Sequence, residues 1–161
     1  MKKISNMNKK IILLADDDMD DTEMFCEALE DINEDIVCHC AANGSEALKI
    51  LEKLDINPEL IFLDVNMPVM SGWECLKILK KDKRFKDIPV IMISTSSHQK
   101  DMDIASDLGS MCYFVKPNHF KDLKYVLRSI ALNLGPNLKN ALNQLQNDGS
   151  NHVFTCADKN D

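Results

Sequence analysis

The stretch Leu60-Ile61-Phe62-Leu63-Asp64-Val65-Asn66-Met67-Pro68-Val69-Met70-Ser71-Gly72 sets four consecutive apolar residues against one acid and a proline-containing loop. So short a continuous apolar run fits a strand buried on both faces, as in a parallel sheet. Three similar runs lie along the chain: Ile11-Ile12-Leu13-Leu14, Val90-Ile91-Met92-Ile93 and Met111-Cys112-Tyr113-Phe114-Val115. A fifth segment, Ile36 to Cys40, alternates, which fits a strand with one face less buried.

Helical stripes separate the runs. Phe25, Ala28, Leu29 and Ile32 share one face, as do Ala47, Leu48, Leu51 and Leu54. Trp73, Leu76 and Leu79 form a third stripe, which Ser71 and Glu74 open with capping-box spacing. Met102, Ala105 and Leu108 give a weaker stripe ended by Gly109. Phe120, Leu123, Leu127, Ile130 and Leu134 give a strong one. Strands alternating with helices imply right-handed crossovers and helices on both sides of a parallel sheet. The expectation is a doubly wound α/β domain of five strands and five helices over residues 11–134. Residues 1–10 are expected to be extended or disordered. Gly135-Pro136 breaks the last helix, Leu138, Ala141, Leu142 and Leu145 outline a short amphipathic helix, and the polar remainder is expected to be mobile.

Length and composition agree with one soluble domain. The 161 residues suffice for a hydrophobic core, and 45% hydrophobic with 28% charged residues is ordinary for a globular protein. Nineteen basic against 26 acidic residues give a net charge of -7, which argues against non-specific nucleic-acid binding. No run is long enough to span a membrane. The basic, polar N-terminus has no apolar run behind it and does not read as a signal peptide, so a cytoplasmic location is expected. The six cysteines fit no disulfide framework or zinc spacing. Cys38-His39-Cys40 sits in the alternating strand, which puts the two thiols on one face and the imidazole on the other.

Open parallel α/β sheets bind ligands beyond the carboxyl ends of their strands. The first run is followed by Asp16 and Asp17, the third strand by Asp64, the fourth by Ser94 and Thr95, the fifth by Lys116 and Pro117. In the strand order 2-1-3-4-5, strands one and three are neighbours where the winding reverses, so Asp16 and Asp17 would stand beside Asp64. Three carboxylates repel one another and call for a cation. Oxygen-only ligands select a hard ion, so Mg²⁺ is expected. A carboxylate nucleophile at Asp64, a lysine at Lys116 and a hydroxyl at Ser94 suit phosphoryl acceptance. Taken singly, each has a plainer reading. Asp20 or Asp21 would serve as a helix cap, Ser94 as a turn residue, Lys116 as a solvated amine and Tyr113 as a core aromatic.

Together these motifs resemble the response-regulator receiver family, whose fold is flavodoxin-like. Leu63 to Gly72 is similar to the family's phosphoacceptor strand and loop, Asp16-Asp17 to its acidic pair, Ile88 to Ser94 to its switch-hydroxyl strand, and Tyr113 to Pro117 to its switch aromatic and Lys-Pro pair. The match covers Ile11 to about Leu134. The resemblance implies that Asp64 becomes an aspartyl phosphate. It implies Mg²⁺ bound by Asp17, Asp64 and the Asn66 backbone carbonyl, with Asp16 acting through water. Lys116 would contact the phosphoryl group, Pro117 would follow a cis peptide bond, and Ser94 and Tyr113 would move as the switch. The surface of the fourth helix, fifth strand and fifth helix would then be read by a partner. Thr95 departs from the smaller residue frequent in the family, and Asn66 and Ser96 hold positions that tune phosphate lifetime.

The implied role is a stand-alone receiver, similar to the family's chemotaxis member. It would take its phosphoryl group from a sensor histidine kinase or a histidine phosphotransfer protein and pass the signal to an unknown protein target. The last helix and the tail stripe are candidate contributors to a homodimer. A haloacid-dehalogenase-type phosphatase also uses an Asp nucleophile with Mg²⁺ but needs a second Asp two residues on, where this chain has Asn66. The reading is therefore a switch rather than an enzyme. The alternative is a non-phosphorylated interaction module that keeps the fold alone.

Overall fold

The computed structural model describes residues 9–157. The elements run β1 (Lys10–Ala15), α1 (Met19–Ile32), β2 (Ile36–Ala41), α2 (Gly44–Lys53), β3 (Leu60–Asp64), α3 (Gly72–Lys81), β4 (Val90–Ser94), α4 (Gln99–Asp107), β5 (Cys112–Val115), α5 (Phe120–Leu132), α6 (Leu138–Asn147) and β6 (Val153–Thr155). The strands order as β2-β1-β3-β4-β5-β6. The first five are parallel. The doubly wound 2-1-3-4-5 sheet expected from the sequence is thus present, and β1 begins one residue earlier than expected, at Lys10.

The period-2 geometry of the strands divides the apolar runs between two cores. Ile12, Leu14, Phe62, Ile93 and Phe114 face α1, α5 and α6. Leu13, Leu63, Met92 and Tyr113 face α2, α3 and α4. This is why the central runs read as unbroken hydrophobics: every position of β3, β4 and β5 is buried. Phe25 of α1 meets Phe62 and Phe114 edge-on, with ring centroids 5.6 and 6.2 Å apart, an arrangement that suits the ring quadrupoles. Ser71 and Glu74 form the capping box that starts α3. Gly109 takes φ +92, where a side chain would be strained, and closes α4.

The chain after Gly135 forms the short helix expected there but departs from expectation beyond it. Its stripe forms α6, and residues 153–155, expected to be mobile, form a sixth strand antiparallel to β5, pairing Phe114 with Val153 and Tyr113 with Phe154. Three residues carry too little alternation to announce a strand. The physical cause is the open edge of β5, whose unpaired N–H and C=O groups accept them. The His152 carbonyl adds a bond from the Val115 N–H at 2.8 Å. Leu138, Leu142 and Val153 are fully buried, so the tail shares the α1/α5 core. The surface expected to be read by a partner is therefore altered, because β6 covers the outer edge of β5. The expected disorder of residues 1–8 lies outside the described residues.

Truncating Leu142 to Ala would remove a fully buried side chain, a change that typically costs about 2–5 kcal/mol. The urea midpoint should fall accordingly. A midpoint unchanged from wild type would mean that α6 is not part of the cooperative unit.

Candidate functional site

The strand register brings the carboxyl ends level. Ala15 pairs with Ala41 on one side and Leu63 on the other, and Asp64 pairs with Ile93. Asp16 and Asp64 therefore emerge side by side at the switch in winding. Asp16 is buried, and its N–H donates to the Ala41 carbonyl at 3.0 Å. Its carboxylate accepts from the Asp18 N–H, also at 3.0 Å. Asp17 is exposed. Oxygens of Asp16, Asp17 and Asp64 all lie within 4.8 Å of one another.

Lys116 closes the cluster from the end of β5. Its Nζ is 2.7 Å from Asp16 Oδ2, 3.0 Å from Asp21 Oδ2 and 3.6 Å from Asp64 Oδ2. Its backbone N–H donates to the Ser94 carbonyl at 2.8 Å, which anchors the turn. Burial works against the charged ammonium. The Asp16 hydrogen bond and the nearby acids outweigh it, and the Lys116 pKa is raised.

Asp64 sits in a less favourable balance. Burial, then the hydrogen bond and negative charge of Asp16, push its carboxyl up from 3.8 to about 7. The Lys116 charge and the Asn66 N–H oppose this only in part. A pKa raised this far marks a carboxylate whose charge is poorly compensated by its surroundings. A set of oxygen donors with excess negative charge fits a hard divalent cation, and it lacks the soft donors of a thiolate or imidazole site.

Two local features shape the loop after Asp64. A Cβ on Gly72 would run into the Asp64 carbonyl, so only glycine lets α3 start this close to β3. Val69 takes φ +66, and the Met70 N–H bonds the Pro68 carbonyl across it, making a strained three-residue turn. Nothing in the sequence flagged Val69, because β-branched residues rarely hold this conformation.

The hydroxyl side of the rim is tied down by a short chain of bonds. Ser94 Oγ accepts from the Ser96 N–H at 3.0 Å, and Ser96 Oγ donates to Asp101 at 3.1 Å. Tyr113 is fully buried, with its hydroxyl donating to the Ser96 carbonyl at 2.7 Å. It touches the β4–α4 loop rather than the carboxylates. Thr95 is exposed at the mouth of the site.

Two expectations need correction. The cap of α1 is Asp18, which accepts from the Asp21 N–H, so neither Asp20 nor Asp21 caps the helix. Asp21 instead reaches Lys116, one helical turn in from the cap, a contact that sequence spacing alone does not reveal. The expected cis bond before Pro117 is absent: no described peptide bond is cis. Trans is the default even before proline, by about 0.5–1 kcal/mol.

Residues 12–128 match the family model for the response regulator receiver domain. The chain belongs to that family. It is 30% identical to response regulator Rcp1 of Synechocystis over 126 residues, covering 75% of this chain and 86% of Rcp1. It is 32% identical to the probable transcriptional regulator ycf27 of Porphyridium aerugineum, covering 89% of this receiver but 56% of that protein. Among solved structures, the phosphorylated cyanobacterial phytochrome response regulator RcpA superposes with a TM-score of 0.73 at 30% identity, over 78% of this chain and 94% of that one. The Mn²⁺-bound form of Rcp1 gives 0.68 at 30% identity, over 75% and 91%. The chain is thus a flavodoxin-like receiver of two-component systems, a family of signalling switches that bind divalent metal. No described helix is long and apolar enough to cross a membrane.

Two outcomes follow from the geometry. Because the folded Asp64 pKa lies above its unfolded value, its contribution to stability is full below about pH 4 and is lost as pH rises to about 7. In chelator, the stability of wild type relative to Asp64→Asn should fall over that window by up to about 1.4 kcal/mol per pH unit. A pH-independent difference in urea unfolding would contradict this balance. Separately, Val69→Gly should relieve about 1 kcal/mol or more of positive-φ strain and hold or raise the urea midpoint despite glycine's unfolded-state entropy, and a lower midpoint would count against strain at Val69.

Proposed function

We propose that this receiver accepts a phosphoryl group on Asp64, in a Mg²⁺-dependent reaction, from the phosphohistidine of a sensor histidine kinase or a histidine phosphotransfer protein. The observation that carries this reading is the meeting of Asp16, Asp17 and Asp64 oxygens within 4.8 Å, with the Lys116 ammonium against them. The P–N bond of the donor breaks as a P–O bond forms to a carboxylate oxygen of Asp64, and the electron pair leaves on the imidazole nitrogen. Asp16, Asp17, Asp64 and the Asn66 backbone carbonyl would hold the ion, which neutralises the acids and the incoming phosphoryl oxygens. The Mn²⁺-bound form of Rcp1 and the phosphorylated form of RcpA support this by likeness.

Lys116 is placed to follow the negative charge. It leans on Asp16 and Asp21 and stands 3.6 Å from Asp64, within reach of an oxygen added there. Ser94 supplies a hydrogen bond to the phosphoryl group once its hydroxyl turns from the Ser96 N–H. That movement disturbs the loop on which the Tyr113 hydroxyl rests, and Tyr113 is paired across the sheet with Phe154 of β6. The signal thus reaches the C-terminal strand, and a downstream protein reads α4 together with β6. The role is a switch in a cytoplasmic phosphorelay rather than turnover of a small substrate.

Incubation with Mg²⁺ and a small acyl-phosphate donor should add one phosphoryl group by intact mass. The gain should vanish with chelator and in Asp64→Asn, and Lys116→Ala should slow it by roughly tenfold or more, as expected when a charge aimed at the transferring group is lost. A folded wild-type protein that gains no mass from either the acyl phosphate or a phosphorylated kinase would favour the non-phosphorylated interaction module.

A further inference from the structure

Three of the six cysteines gather where α1 crosses the free edge of the sheet. Cys26 lies on α1, and Cys38 and Cys40 lie two residues apart on β2, the edge strand. The Cys26 and Cys40 sulfurs are 3.0 Å apart, within about 1 Å of the ~2.05 Å of a disulfide bond. Cys40 is exposed and Cys26 half-buried, whereas Cys75, Cys112 and Cys156 are buried. A mostly apolar depression has Met19, Glu23, Cys26, Cys40, Ala42 and Glu46 in its lining. Helix and strand therefore present a preformed pair of thiols that a small reagent can reach, just below Ala41, whose carbonyl holds the Asp16 N–H.

We propose that Cys26 and Cys40 form a reversible disulfide on exposure to hydrogen peroxide, which makes the α1–β2 edge a modification site separate from Asp64. In the first step one thiolate attacks a peroxide oxygen. An S–O bond forms, the O–O bond breaks, and hydroxide leaves and takes up a proton, giving a sulfenic acid and water. The second thiol then attacks that sulfur, the S–O bond breaks, and a second water leaves. Two thiols and one peroxide thus give one disulfide and two waters. The sulfur separation favours this product over a thiolate-bound metal ion, because 3.0 Å is close for two sulfurs that must each sit ~2.3 Å from a shared tetrahedral ion. The hydrogen bond with Cys38 and burial raise the Cys26 thiol, and the hydrogen bond with Cys26 and burial raise Cys40, so thiolate is scarce and the first step is slow at neutral pH, which the closeness of the second sulfur does not change.

The test uses the full reduced chain, treated with hydrogen peroxide and then alkylated. Cleavage after glutamate separates Cys26 from Cys38 and Cys40, with Glu27, Glu30 and Glu34 lying between them. The expected result is loss of two hydrogens from the intact mass and one cross-linked peptide pair. The link should be reversed by a dithiol reductant, persist in Cys38→Ser and vanish in Cys40→Ser and in Cys26→Ser. Circular dichroism should match wild type in each variant. Retention of the link in Cys40→Ser, its loss in Cys38→Ser, a bond confined to Cys112 and Cys156, or oxygen addition with no cross-link would each overturn the proposal. Because the readout is covalent linkage at Cys26, it is independent of whether Asp64 accepts a phosphoryl group.

Discussion

Three carboxylates share one end of the sheet with the Lys116 ammonium close at hand, and their mutual repulsion sets the electrostatics of the site. Lys116 sits between Asp16 and Asp21 and within 3.6 Å of Asp64. Like charges this close in a partly buried setting raise the energy of the charged state. That is why the Asp64 carboxyl is pushed up to about 7. The same imbalance makes the site receptive to added positive charge, which links the resting electrostatics to the proposed chemistry.

The scaffold keeps this arrangement from relaxing. Asp16 is held by the Ala41 carbonyl on the neighbouring strand and by the Asp18 N–H of the helix cap. Behind Asp64, Gly72 lets α3 pack directly against the strand end, and the strained turn at Val69 leads the chain to the capping box of Ser71 and Glu74. Strain at a loop beside a charged site persists only where the flanking elements over-determine it. Here β3 and α3 do so from both sides.

The C-terminal segment changes what the fold offers to partners. Without it, β5 would end the sheet with an open row of backbone donors and acceptors, an invitation to edge-on association. The antiparallel β6 takes that edge, and α6 buries Leu138 and Leu142 in the core shared by α1 and α5. Tyr113, whose hydroxyl bonds the Ser96 carbonyl, lies opposite Phe154. Two strands, β4 and β5, thus lie between the central β3 and the chain's own tail.

The sequence by itself determined the alternation of apolar runs with amphipathic stripes, and hence the parallel doubly wound sheet. It also determined that acids, a hydroxyl and a lysine follow the strand ends, because a strand's carboxyl end is legible wherever an apolar run stops. Runs buried on both faces and a capping box are local signals of this kind. What only the tertiary structure decided are contacts between distant segments: Asp21 on Lys116, 95 residues away in the chain, Cys26 beside Cys40, and residues 153–155 on the edge of β5. Asp18 rather than Asp21 caps α1 because the cap depends on where the first turn begins, and with five acids among residues 16–21 spacing does not fix that. The tail strand was illegible for a similar reason: three residues have no periodicity to read, and an exposed sheet edge, not their own propensity, makes them a strand.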